Sequence, residues 1–191
     1  MQTKNIMIVG VGGQGTLLAS KLLGHVLLSA GYDVKVSEVH GMSQRGGSVV
    51  TYVRYGEKVY SPVIDQGEAD LIIAFEQLEA ARWLSYLKPG GTMIVNVQQI
   101  EPMPVITGAK AYPEKLVDKM QSAGAVVLAK DFLALAEEAG TARSVNVAMI
   151  GCLSRQLPEI EPEAWTQAMD VLVPAKFRDL NKKAFALGCN A

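Results

Sequence analysis

Two cysteines are all that the 191 residues contain, and their placement matters as much as their number. Cys152 and Cys189 lie far apart and neither belongs to a C-x-x-C pair, so the chain offers no zinc ligand set, no iron–sulfur motif and no redox dithiol. Both read as buried or incidental thiols. Histidine is as scarce, with His25 and His40 the only two. Neither sign of charge is in excess: 18 Lys and Arg against 19 Asp and Glu leave a net charge of −1. A chain so near neutrality lacks the clustered basic face that grips nucleic acid. No apolar stretch reaches bilayer-spanning length, and M-Q-T-K-N-I-M-I-V-G runs straight into a strand without a charged-then-apolar leader. Nucleic acid and membrane are set aside as partners, and a cytoplasmic address is expected.

What is present suits a soluble globule: 49% of the residues are hydrophobic and 19% charged. The length fits one domain, residues 1–191, with a core large enough to need no staples. Strand-like and helical runs alternate. Ile6 to Val9 reads as a buried strand, followed by a helix from about Gln14 to Ser29, stopped by Gly31. Strands are expected at Val34 to Val39, Ser48 to Tyr55, Asp70 to Phe75, Thr92 to Val97 and Ala125 to Ala129, with a short pairing segment at Glu57 to Tyr60. Helices are expected at Glu76 to Tyr86, Tyr112 to Ser122, Phe132 to Ala139 with Asp131 as N-cap, and from a Ser144 cap through Gln156. Two more fall near Glu161 to Leu172 and Ala175 to Leu187. Residues 98–109 hold two prolines that forbid a helix, and the K-P-G-G run before Thr92 reads as a turn. There is no internal repeat. The alternation predicts an α/β, Rossmann-like open, largely parallel sheet with helices on both faces.

The segment I-M-I-V-G-V-G-G-Q-G-T places Gly10, Gly12 and Gly15 in a G-x-G-x-x-G spacing between a strand and a helix. Such glycines permit a tight turn and let backbone N–H groups approach a phosphate. Glu38 ends the second strand, where an acid would hold a ribose hydroxyl in a dinucleotide site. A nucleotide-like ligand and a merely structural turn both remain open on this pattern. Against an NAD-dependent dehydrogenase stand the extra Gly13, the amide of Gln14 at the helix entrance, and the lack of a hydride-transfer constellation such as a tyrosine–lysine pair.

G-V-G-G-Q-G-T at 10–16 together with S-E-V-H-G-M-S-Q-R-G-G at 37–47 resembles the gamma-type domain of 2-oxoacid:ferredoxin oxidoreductases, nearest to the small (beta) subunits that act with indolepyruvate. The resemblance runs on through V-Y-S-P at 59–62, G-E-A-D at 67–70, A-F-E-Q-L-E-A at 74–80, L-K-P-G-G at 87–91, V-N at 95–96 and the R-x-x-N of Arg143 to Asn146. It implies one component of a heteromeric enzyme in which a 2-oxoacid is decarboxylated on thiamine diphosphate, electrons pass through iron–sulfur clusters to ferredoxin, and the acyl group goes to coenzyme A. The chain has neither the cysteines for a cluster nor a G-D-G with a following asparagine for thiamine diphosphate. Those cofactors are therefore expected on a large alpha subunit, and no catalytic residue or metal ligand is assigned here.

The residues expected to hold an anionic cofactor, coenzyme A being the one the resemblance implies, are Gly10, Gly12, Gly13, Gln14, Gly15, Thr16, Ser43, Gln44 and Arg45. Those expected at a subunit interface are Glu38, His40, Gly41, Met42, Gly46 and Gly47. An unperturbed imidazole titrates near neutrality, which makes His40 the tempting catalytic residue, but without a second histidine or a spaced acid it reads as a hydrogen-bonding or interface group before a catalytic one. Glu38 and Arg45 can pair across the loop or stand solvated. His25, Trp83 and Tyr86 read as packing residues. The 10–16 turn and the 40–47 loop are expected to meet at the carboxyl edge of the sheet. A ligand-free docking subunit and an independent NAD enzyme are the rival readings.

Overall fold

A computed structural model describes residues 3–39 and 47–191. The expected sites at His40, Gly41, Met42, Ser43, Gln44, Arg45 and Gly46 lie outside the described residues. β1 (Lys4–Val11) leads through α1 (Thr16–Ser29) to β2 (Asp33–Val39), β3 (Ser48–Gly56) and β4 (Ala69–Ala74). After β4 come α2 (Gln77–Trp83), β5 (Leu87–Asn96), the single turn α3 (Met103–Ile106), α4 (Leu116–Ser122) and β6 (Val126–Lys130). The chain ends in α5 (Phe132–Ala139), α6 (Val145–Ser154), α7 (Pro162–Leu172) and α8 (Arg178–Cys189).

The strands form one sheet in the order β2-β3-β1-β4-β5-β6. β1, β4, β5 and β6 are parallel neighbours, while β3 runs antiparallel to both β2 and β1. The sheet is thus mixed, as expected for the parallel half and not foreseen for β3. The consequence is spatial: β3 stands between β2 and β1, which puts Glu38, through its neighbour Thr51, two strand spacings, about 10 Å, from Ile8 of β1 and further still from the turn that follows Val11. Period-two alternation divides the core. Ile6, Ile8, Leu71, Ile73 and Ile94 pack toward α1, α5, α6, α7 and α8, whereas Met7, Val9, Ile72, Met93 and Val95 pack toward α2 and α4.

α6 is buried from Val145 to Leu153, and a helix apolar all round must be covered on every side. α8 supplies one cover at backbone contact. A Cβ at Gly188 would lie 1.8 Å from Ala148 O, and one at Gly151 would lie 2.2 Å from Phe185 O. On the same side of the sheet, Glu159 accepts from Lys4 Nζ at 2.8 Å and from the Tyr55 hydroxyl at 2.7 Å, tying β1 and β3 to the loop before α7. Burial pushes the Glu159 carboxyl up, but the Lys4 and Tyr55 hydrogen bonds outweigh it and hold it below the ordinary 4.5. Burial first, then the Glu159 carboxylate that its hydroxyl must serve, pushes Tyr55 far above the usual tyrosine range.

Several local expectations are corrected. Glu57 to Tyr60 forms no strand; Val59 N instead donates to the Asp33 carboxylate at 2.9 Å. K-P-G-G lies inside β5, as a register shift opposite Ala69 to Leu71 with Gly90 at positive φ. The 98–109 segment does hold one helical turn, because Pro102 precedes it and Pro104 falls in the first turn, where a missing N–H costs nothing. The helix expected from Tyr112 starts at Leu116. Ser144 does not cap α6; its hydroxyl donates back to Thr141 O at 2.9 Å, and Thr141 caps the short 3-10 turn 142–144. Asp131 caps α5 as expected, accepting from Ala134 N at 2.9 Å.

Gly188→Ala is expected to lower stability by about 2 kcal/mol or more, because backbone has to move to admit a methyl; urea denaturation reads this directly. For Glu159 the sign follows from its lowered folded value. Its contribution is fully present above about pH 4.5 and fades as acid protonates the carboxyl below that. Glu159→Gln therefore flattens the fall in melting temperature between neutral pH and pH 3 to 4.

Candidate functional site: a crevice at the carboxyl edge

β1 and β4 diverge in their connections, β1 toward β2 and β4 toward β5, and a crevice opens beyond their carboxyl ends. It encloses about 420 Å³ between the turn after β1, the segment after β5 and the 3-10 turn before α6. Gly13, Gly15, Gln98 and Arg143 supply its polar rim, and Leu133 and Val145 its apolar wall.

The turn is built as its glycines require. Gly13 and Gly15 hold φ of 101° and 83°, values that L side chains resist. A Cβ on Gly13 would meet nothing within 4 Å, so this glycine answers to backbone conformation alone. A Cβ on Gly15 would approach Asn146 Nδ2 to 2.7 Å. Asn146, buried at the start of α6, donates to Gly15 O at 3.1 Å and accepts from Val147 N at 2.9 Å. It thus fastens the first turn to the second half of the chain. Gly10 is packed against Phe75, and Thr16 opens α1. Gly12 N donates to Gly47 O at 2.9 Å; there the glycine turn meets the described end of the 40–47 loop.

Gln14 is engaged inside the protein. Its Oε1 accepts from Val11 N at 2.8 Å and its Nε2 donates to Phe75 O at 3.0 Å. Asn96, fully buried, donates to the same carbonyl at 3.3 Å and accepts from Phe132 N at 3.1 Å. The ends of β1, β4 and β5 and the start of α5 are joined by these two amides. Gln98, Leu133 and Arg143 were not singled out as site residues from the sequence. The available signals were position just past a parallel strand for Gln98, and the R-x-x-N run for Arg143.

Glu38 is placed elsewhere: its carboxylate accepts from Ser20 Oγ of α1 at 2.6 Å, and with β3 interposed it does not stand beside the glycine turn as a ribose clamp would. His25 is half-buried on α1. Trp83 and Tyr86 pack with ring centroids 5.0 Å apart. An acidic pair, Glu76 and Glu79, lies near Gly47 on the α2 side of the sheet. Glu76 caps α2 through Glu79 N at 2.9 Å and takes the Tyr112 hydroxyl, while Glu79 holds Ser48 Oγ and Arg82. Burial pushes Glu79 up; the Ser48 hydrogen bond and Arg82 oppose it, and Glu76 adds to it. Tyr112 is also pushed up, by burial first and then by Glu76. Among the described residues no group of three or more histidines, cysteines or acids is arranged to hold a metal, and no helix is long and apolar enough to cross a membrane. Cys152 is buried and Cys189 half-buried.

A mixed α/β sheet with a crevice beyond its carboxyl ends, built on a glycine turn, defines the class: an open α/β domain. Within it, residues 5–191 match the family described as pyruvate ferredoxin/flavodoxin oxidoreductase, and the chain belongs to that family. It is 45% identical to the indolepyruvate oxidoreductase subunit IorB of Thermococcus kodakarensis, over all of this chain and 96% of the relative. The pyruvate oxidoreductase subunit PORC of Thermotoga maritima superposes with a TM-score of 0.77 at 20% identity, covering 100% and 97% of the two chains. The 2-oxoglutarate:ferredoxin oxidoreductase of Magnetococcus marinus, solved with 2-oxoglutarate, coenzyme A and succinyl-CoA bound, gives 0.74 at 20% identity over all of this chain and 31% of its own. At 20% identity these two likenesses concern the fold. The family is the one that the 10–16 and 37–47 motifs had led us to expect.

The Gly15 and Asn146 contact makes a quantitative expectation. Gly15→Ala costs roughly 2 to 3 kcal/mol, from φ strain and from overlap with Asn146. Adding Asn146→Ala removes the overlap and leaves the strain, so the double variant is destabilised by less than the sum of the singles. A denaturation cycle on the four proteins measures the coupling; simple additivity would mean that the contact carries no energy.

Proposed function

We propose that this chain is the small subunit of a 2-oxoacid:ferredoxin oxidoreductase acting on indolepyruvate or related aryl pyruvates, a single gamma-type domain that completes the assembled enzyme. The observation that carries the reading is the likeness to an indolepyruvate oxidoreductase subunit across the whole length of both chains. Thiamine diphosphate and the iron–sulfur clusters belong, on this reading, to a large alpha subunit, with ferredoxin as the acceptor of the complex. The residues here do not fit a cluster: two cysteines fall short of four thiolates, and Cys189 Sγ lies 3.5 Å from Ser154 Oγ, against α6.

The crevice does fit the phosphates of coenzyme A. Its rim carries an arginine with no ion-pair partner among the described residues, together with Gly13 and Gly15 at positive φ. When bound, coenzyme A supplies the thiol that takes up the acyl group. The chain's own part is to bind and orient: Arg143 neutralises phosphate charge, the 13–15 turn donates from its backbone, and Leu133 and Val145 exclude water from one wall. Gly12 N donates to Gly47 O beside this turn; Gly47, with Glu38, His40, Gly41, Met42 and Gly46, belongs on this reading to the contact with the large subunit.

Expressed with its neighbouring coding sequences, the chain should co-purify with a large, cysteine-rich, thiamine-binding protein and support coenzyme A-dependent oxidation of indolepyruvate. Arg143→Ala in that complex should raise KM for coenzyme A about tenfold, with KM for the oxoacid unchanged. A chain that never acquires such a partner, yet binds NAD and reduces it alone, would overturn the reading.

A further inference from the structure

Gln98 follows β5 on a segment with little freedom. Its carbonyl accepts from Gln77 N at 3.2 Å, Val97 N donates to Lys130 O at 3.0 Å, and Gln77 Nε2 donates to Val97 O at 2.6 Å. Which way its side-chain amide faces is dictated by neighbours that backbone groups have already oriented. Val11 N can only donate, so it selects Gln14 Oε1 and turns Gln14 Nε2 to the Phe75 carbonyl, which can only accept. Phe132 N selects Asn96 Oδ1 in the same way and turns Asn96 Nδ2 to that carbonyl. Both amide nitrogens then also reach Gln98, at 3.4 and 3.3 Å, where only an oxygen can receive them. Oε1 of Gln98 is held inward, and Nε2 is left toward the crevice with no partner among the described residues.

Arg143 lines the same crevice, and none of the described residues lining it is acidic. Every side chain that faces it with a polar group therefore donates. We propose that Gln98 is the specificity-determining donor of this crevice, selecting ligands whose facing group only accepts hydrogen bonds, a phosphate or pyrophosphate ester, over those that present an amine. The proposal rests on the reading of the crevice as a ligand site. A donor placed against Nε2 leaves two donors facing each other with neither bonded, and sites that pair a donor with an acceptor reject such a ligand.

The test uses the full chain, inorganic pyrophosphate and, separately, coenzyme A, by titration calorimetry with the side-chain amide of Gln98 followed by 15N NMR. Pyrophosphate should bind and shift that amide. Gln98→Glu, which keeps an acceptor for Gln14 and Asn96 but turns an anion to the crevice, should weaken pyrophosphate about tenfold or more, with thermal melting unchanged. Gln98→Met, of similar length and without a donor, should weaken it by a smaller factor and guards against a folding artefact. Unaltered affinity in both variants overturns the proposal, as does a wild-type chain that binds no pyrophosphate. If pyrophosphate binding depends on Gln98 while coenzyme A neither binds nor competes, the donor assignment stands and the coenzyme A reading falls. If coenzyme A binds equally well to wild type and Gln98→Glu, the reading stands and the donor assignment falls.

Discussion

The carbonyl of Phe75 is the point on which the carboxyl edge depends. It follows the last residue of β4, where the sheet's ladder has stopped and a buried acceptor has no strand partner left. An unmet buried carbonyl is costly, and here two side-chain amides meet it, Gln14 at 3.0 Å and Asn96 at 3.3 Å. Because each amide takes a backbone N–H at its other end, one carbonyl fixes the turn after β1, the end of β5 and the entry to α5 together. A crevice assembled from three separate loops is thereby held to one shape before any ligand arrives, which is how a binding site avoids ordering costs.

That constraint also explains the two glycines whose conformations are demanding. With Gln14 drawn inward, the chain on either side of it must turn sharply, and Gly13 and Gly15 absorb the turn at positive φ. Asn146 then closes the arrangement from the far half of the sequence, so the R-x-x-N run and the glycine run are two sides of one contact. The same geometry separates this domain from a dinucleotide dehydrogenase that shares its glycine spacing. Insertion of β3 between β2 and β1 carries Glu38 away from the turn, and its carboxylate is bonded to Ser20.

Much of the fold was legible because its signals are local. Continuous apolar runs such as Ile6 to Val9 and Leu71 to Ala74 mark strands buried on both faces, and Asp131 and Gly140 bracket α5 at the positions that capping chemistry demands. Strand order was not legible, since nothing in S-V-V-T-Y-V-R-Y states that its neighbour on the inner side is β1 in antiparallel register. The turn inside residues 98–109 was hidden for a different reason: proline excludes helix interiors, yet a helix one turn long has no interior. Half of the crevice was legible as a glycine motif. Gln98 and Arg143 were not, because a glutamine after a strand carries no chemistry until its neighbours fix which end of the amide faces outward.

On the proposed reading, the division of labour in the assembly reflects what the chain can hold. A cluster or a diphosphate-bound metal needs several ligands of fixed geometry, and the described residues offer none grouped for it. What they offer is an arginine and a glutamine amide beside an apolar wall, with Gly47 bonded to the neighbouring Gly12. On the proposed reading, the small subunit presents the acyl acceptor where the large subunit's chemistry requires it, and its contribution to rate is orientation rather than bond-making.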